Sequence, residues 1–143
     1  MPGLRYPLPA SGNFDMKLMA QRRDFDCGVA SLAMLYRLKY EDVYHVAISV
    51  VPPSKIRRVG IQGYELETIA RRFKRPLRRL HYRRVDLENH IGILSINYAY
   101  QKVGHWVVLH QGTVLDPSDA EVWDAEDYVR QRGTRHGGLW MEA

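Results

Sequence analysis

The sequence predicts an α+β fold, with a helical N-terminal half and an antiparallel sheet in the C-terminal half. Three observations carry this. Apolar residues recur at helical spacing in separate runs between positions 27 and 73. From position 90 onward the pattern changes to short apolar runs rich in β-branched residues. Two of those runs are separated by Gln111-Gly112, a two-residue hairpin turn in which glycine takes the positive φ. Helices segregated from strands in this way point to α+β rather than to a wound parallel sheet.

Residues 1–15 read as an irregular arm. The first 18 residues hold three prolines and no continuous apolar stretch, so they are not a secretory signal. The first firm helix is expected over about 27–38. Val29, Leu32, Ala33 and Tyr36 fall on one face, and Ala30, Met34 and Leu38 extend the apolar surface around the cylinder. A helix apolar on most sides is a central one. Asp24 or Asp26 is expected to cap it. "YEDVYHVAISV" (40–50) reads as a second, shorter helix stopped by Pro52 and Pro53. "SKIRRVGIQG" (54–63) reads as a loop, and "YELETIARRF" (64–73) as a third helix ended by Pro76. In the second half, "LRRLHYRR" (77–84) reads as an edge strand and "HIGILSIN" (90–97) as a buried strand. "GHWVVLHQGTVLDP" (104–117) reads as a hairpin, and "DAEDYVRQR" (124–132) as a closing helix capped by Asp124. Residues 133–143 read as a tail of ambiguous structure. The 143 residues form most simply one domain, and 45% hydrophobic content is enough for a core without staples.

Composition excludes several function classes. A single cysteine cannot make an intramolecular disulfide, which fits a reducing compartment. No apolar run approaches the ~20 residues of a spanning helix, so the chain is expected to be soluble and cytoplasmic. The net charge of +5 owes much to "RRFKRPLRRLHYRR" (71–84). That stretch is expected to be a solvated helix end followed by the outer face of a strand, and nucleic acid is not the expected partner. His45, His81, His90, His110 and His136 show no metal-ligand spacing with one another, and no metal or cofactor is expected.

The single cysteine, Cys27, opens the central helix between Asp26 and Gly28. A lone cysteine is commonly a small buried hydrophobe. At a helix N-terminus, however, partial positive charge and free amides favour thiolate over thiol. The same helix start offers a backbone amide to an oxyanion. Gly28 leaves room for a substrate backbone. Thiolate chemistry on a carbonyl then needs a base, a group to orient it and a second oxyanion donor. His105 follows Gly104 and opens an apolar strand, so it is the best candidate base. Asp116 ends the partner strand and is expected to return near His105 and fix its tautomer. Asn97 is the alternative orienter. Gln21, six residues before Cys27, is the candidate oxyanion donor. Trp106, Tyr98 and Tyr100 flank His105 either as core edge or as the wall of a cleft for an extended peptide.

The ordered set Gln21…Asp26-Cys27-Gly28-x-Ala30-x-Leu32-x-Met34, Gly63-Tyr64-x-Leu66, "IGILSIN", "HWVVL" and Asp116-Pro117 resembles the papain-like bacteriocin-processing cysteine peptidases. These are the double-glycine leader peptidases, cysteine peptidase family thirty-nine. The resemblance spans roughly residues 16–130. It implies a papain-like fold whose central helix carries the nucleophile Cys27. His105 would be general base and acid, Asp116 the orienter and Gln21 the oxyanion donor. Independently of the resemblance, Gly28, Gly104, Trp106 and Tyr98 are the residues expected to contact a peptide or protein substrate. The same constellation also serves papain-like acyltransferases and isopeptidases, and a catalytically silent peptide-binding module can share the fold. Gly137-Gly138 looks like a double-glycine cleavage site, although diglycine is common in flexible tails.

Overall fold

The computed structural model describes residues 16, 18–22, 25–97, 105–132 and 135–142, and the side chains of Asn97, Arg132, Arg135 and His136 are not among the described atoms. The expected arm at 1–15, together with Asp24, Tyr98, Tyr100 and Gly104, lies outside the described residues, as does the Asn97 side chain.

Four helices come first: α1 (Cys27–Tyr36), α2 (Tyr40–Ala47), α3 (Pro53–Val59) and α4 (Gly63–Arg72). They are followed by β1 (Leu77–Leu80), a 3-10 turn (Tyr82–Arg84), β2 (Ile91–Asn97), β3 (His105–His110), β4 (Thr113–Asp116), β5 (Glu121–Asp124), α5 (Ala125–Arg132) and β6 (Arg135–Glu142). Every residue of α1 is buried, as its all-round apolar pattern requires. Fully burying a side chain such as Leu32 contributes about 1.5–3 kcal/mol. Arg37, at φ 58°, ends the helix in the left-handed region. α4 starts with a capping box. The Gln62 N–H donates to Glu65 Oε1 at 3.0 Å, and the Gln62 side chain accepts in return from the Glu65 amide.

The six strands form one sheet in the order β1-β6-β2-β3-β4-β5. All described pairings are antiparallel. Both faces are covered. Ile93, Val108, Leu115 and Trp140 pack with the buried residues of α1–α4. Leu94, Val107, Leu109 and Val114 pack with Ala125 and Tyr128 of α5. This two-sided burial explains why β3 reads as a continuous apolar run rather than an alternating one. The β3–β4 turn has Gln111 at φ 43° and Gly112 at φ 87°, the primed turn that matches strand twist.

The structure differs from the sequence reading in five places. The edge strand expected over 77–84 stops at Leu80, and residues 82–84 form a 3-10 turn. Residues 53–59 are helical, not loop. Pro53 occupies the first turn, where its missing N–H costs nothing, so the prolines expected to stop α2 start α3 instead, α2 having already ended at Ala47. Only Ile56 of that helix is buried, so no apolar period announces it. Residues 121–124 form a fifth strand, too short to show alternation. Residues 135–142, read as a tail, form β6, which lies between β1 and β2. Its Gly138 has φ +125°, and a Cβ there would meet the Leu80 carbonyl oxygen at 2.9 Å. The diglycine is therefore a sheet irregularity beside a register shift rather than a flexible tail. α5, in consequence, does not close the chain, although Asp124 does cap it: its Oδ2 accepts from the Asp127 amide at 3.0 Å.

The arginine-rich stretch is solvated as expected. Arg71, Arg72, Lys74, Arg78, Arg79, Arg83 and Arg84 are exposed at the end of α4, on β1 and on the 3-10 turn. Arg75 instead forms a two-pronged ion pair with Glu142, at 2.8 and 3.2 Å. Among the described residues, no helix is long and apolar enough to cross a membrane.

Candidate active site

Cys27 is the first residue of α1. The helical ladder begins with the Ala30 N–H donating to the Asp26 carbonyl at 3.1 Å. The amides of Cys27, Gly28 and Val29 therefore lie outside the ladder, in the turn that carries the sulfur. Asp26 does not cap the helix with its side chain. Its carboxylate is 1% exposed and turns the other way, accepting from the Arg22 amide at 3.1 Å and from the Tyr40 hydroxyl of α2. That bond ties Arg22 to the residue just before Cys27. Gln21 is tied down separately, since its N–H donates to the Pro117 carbonyl at 2.9 Å. Pro117 follows Asp116, so the glutamine is anchored to the turn that ends β4, and its side-chain oxygen is buried there.

His105 and Asp116 stand on the α5 side of the sheet, because alternation groups them with Val107, Leu109 and Val114. Cys27 approaches from the α1 side. The two layers meet where β4 stops covering β3, since the β3–β4 register pairs only Val108, Leu109 and His110 of β3. In that gap the Trp106 amide donates to Cys27 Sγ at 3.4 Å. His105 Nε2 lies 2.7 Å from Asp116 Oδ1. With Nε2 held by the carboxylate, Nδ1 is the nitrogen left for the sulfur.

Asp116 is wholly buried and well supported. Oδ1 also accepts from the Ser118 amide at 2.8 Å and the Ser118 hydroxyl at 2.7 Å, and Oδ2 accepts from the Tyr128 hydroxyl at 2.6 Å. Burial alone would push this carboxyl up. The hydrogen bond and charge of His105, with Tyr128 and Ser118, outweigh it and bring the pKa down to about 2. Burial likewise works against imidazolium at His105. The hydrogen bond to Asp116 and the contact with the Cys27 side chain overcome it and raise the pKa to about 10. The pair is therefore ionic across the neutral range. At 9% exposure for His105 and 7% for Cys27, little water screens it.

The structure thus brings Cys27, His105 and Asp116 together and anchors Gln21 at their edge. It gives Gly28 a different setting from the one expected, and it places Trp106 at the core edge, one of its two expected settings. The Trp106 indole N–H donates to the Ile61 carbonyl at 2.7 Å, and its ring meets Trp140 edge-on at 4.9 Å. A Cβ on Gly28 would lie 3.2 Å from Trp106 Cδ1 and 3.4 Å from Ile61 Cβ. The space beside Gly28 is taken by the protein's own tryptophan rather than left for substrate. Ser118 and Tyr128 escaped the sequence reading. The Asp116-Pro117-Ser118 turn was a local signal for the first. Nothing local announced the second. Among the described residues, no cluster of three or more His, Cys, Asp or Glu side chains could hold a metal ion.

No family model matches the sequence, and no curated protein matches it. Among solved structures, the chain is similar to a double glycine motif protease from an AMS/PCAT transporter, determined in complex with the leader peptide. The TM-score is 0.56 at 20% identity, over 90% of this chain and 93% of that one. At that identity what is shared is the fold: a papain-like α+β fold with helices packed against an antiparallel sheet.

Proposed function

We propose that the chain is a single-domain cysteine peptidase that hydrolyses peptide bonds, with leader-peptide processing as its task. The observation that carries this reading is the buried line from Cys27 through His105 to Asp116, across the gap between α1 and the sheet. The likeness to a leader-binding protease supports the choice of a peptide substrate.

In this reading the Cys27 thiolate attacks the scissile carbonyl carbon, and the carbonyl π pair moves onto oxygen. Amides at the start of α1 and the Gln21 side chain stabilise that oxyanion. Collapse of the intermediate breaks the C–N bond as His105 Nδ1–H protonates the leaving amine. A water molecule, deprotonated by the now neutral His105, attacks the thioester. The carboxylic acid product leaves, and the proton on His105 restores the ion pair. Asp116 keeps its charge throughout, holding the ring in the tautomer that presents Nδ1 to the sulfur. No step requires a cofactor.

The test is covalent labelling by a peptide chloromethyl ketone at pH 6, read by intact mass. A single adduct should form faster than on free cysteine and be absent in Cys27→Ala. Labelling no faster than free cysteine would overturn the activated nucleophile. Cleavage of a peptide with an internal Gly-Gly, read by fragment mass, then tests the leader assignment. Failure to cleave it while other peptides are cut would remove that assignment alone.

A further inference from the structure

The mechanism leaves one fully buried hydroxyl without a role. Ser31 sits one helical turn after Cys27, so the two side chains share a face of α1. Its Oγ donates to the Trp106 carbonyl at 3.2 Å. Cys27 Sγ accepts from the N–H of the same residue at 3.4 Å. Within a strand, a residue's own N–H and C=O point to the same edge. On β3, β4 serves that edge only from Val108 onward. At Trp106 two side chains of α1, four residues apart, stand in for the missing strand.

We propose that Ser31 is a positioning residue that clamps Trp106, and with it the adjacent His105, in register against Cys27. The sulfur contact is long and weak, and a contact of that kind does not hold a strand by itself. The Ser31 hydroxyl supplies the second point, and two points on one residue fix both its distance from the helix and its rotation. His105 precedes Trp106 directly, so any slip of Trp106 along α1 moves the ring off the sulfur while leaving the Asp116 contact in place. The role rests on the peptidase reading, but the clamp itself does not.

Two readouts on wild type, Ser31→Ala and Ser31→Thr test it. The first is amide hydrogen exchange of Trp106 against that of Leu109, which β4 pairs. The second is Cys27 alkylation by iodoacetamide at pH 7, corrected for folded fraction. Ser31→Ala should exchange Trp106 about tenfold faster, as expected for one lost hydrogen bond, with Leu109 unchanged. It should also alkylate about tenfold more slowly. Ser31→Thr, which keeps the hydroxyl, should match wild type in both. If Ser31→Ala merely melts at a lower temperature, with exchange and alkylation unchanged, the clamp is overturned. If Ser31→Ala does not fold, Ser31→Thr decides: wild-type values support the hydroxyl's role, and fast Trp106 exchange overturns it. Loss of Trp106 protection in Ser31→Ala, with a wild-type thiol no more reactive than free cysteine, would sink the peptidase reading and leave the clamp supported.

Discussion

Two buried carboxylates flank the site, and each takes a tyrosine hydroxyl from a neighbouring helix. Asp26, beside Cys27, accepts from Tyr40 of α2. Asp116, paired with His105, accepts from Tyr128 of α5. They differ in what else they hold. Asp116 bonds an imidazole ring and shifts its titration. Asp26 bonds the Arg22 main chain and so ties the residue after Gln21 to the residue before Cys27. One carboxylate sets a protonation state, and the other anchors main chain. The comparison predicts that disturbing the Asp116 side strikes chemistry and its pH dependence, whereas disturbing the Asp26 side strikes stability first.

Asp116→Asn should produce the largest effect. An amide keeps the shape but loses the charge, and it can hold the wrong tautomer. kcat should fall by on the order of 10³–10⁴, as when a triad carboxylate is made neutral. The stability difference from wild type should follow pH with a definite sign. The raised His105 pKa contributes stability that is complete below about 6.5 and is lost as pH rises toward about 10. The lowered Asp116 pKa contributes stability that is complete above about 3.8 and is lost as pH falls toward about 2. Urea unfolding should therefore show the widest gap between the two proteins from about pH 4 to pH 6.5, narrowing on both sides. A gap independent of pH would refute the ion pair.

Tyr128→Phe is the intermediate case. It removes one donor from Asp116 Oδ2 and leaves the His105 contact on Oδ1. A buried carboxylate oxygen short of one partner costs about 1–3 kcal/mol. The carboxyl pKa should rise, and the acid edge of the stability profile should move to higher pH. kcat should fall by no more than about tenfold, because His105 keeps its partner. A loss as large as that of Asp116→Asn would mean that Tyr128 acts on the chemistry directly and would blur the division between the two carboxylates.

How much of this was legible depended on how local each signal was. The helix at Cys27, the hairpin at Gln111-Gly112 and the Asp124 cap are each written within about a dozen residues, and chain periodicity exposes them. β6 is not, because Gly137 and Gly138 break its alternation and its partners lie 38–65 positions upstream. α3 is too short and too exposed to show a period. The same division runs through the site. Cys27, His105 and Asp116 were named because their residue types stand at element ends, where chemistry needs them. Ser31, Tyr40 and Tyr128 are ordinary hydroxyl residues whose partners are chosen by packing across layers. The crowding of Gly28 by Trp106 likewise arises only once α1 and β3 are packed together. No pattern within either segment contains it.

Tyr40→Phe is the smallest perturbation and the sharpest test of the Asp26 half. The ring stays, so the stack of Tyr40 on Tyr44 at 5.9 Å and the Arg22 guanidinium over its face at 4.2 Å both survive. What goes is one O–H donor to a carboxylate that keeps the Arg22 amide. The cost should be about 1 kcal/mol, seen as a lower urea midpoint with an unchanged slope. The Cys27–His105–Asp116 line is not touched, so the pH profile of labelling should superpose on that of wild type. kcat should fall only two- to threefold, through looser placement of Gln21, the proposed oxyanion donor, a loss of under 1 kcal/mol in transition-state stabilisation. A shifted pH profile in this variant would mean that Asp26 also acts on the titration of the pair, and the separation between chain-anchoring and proton-setting carboxylates would fail.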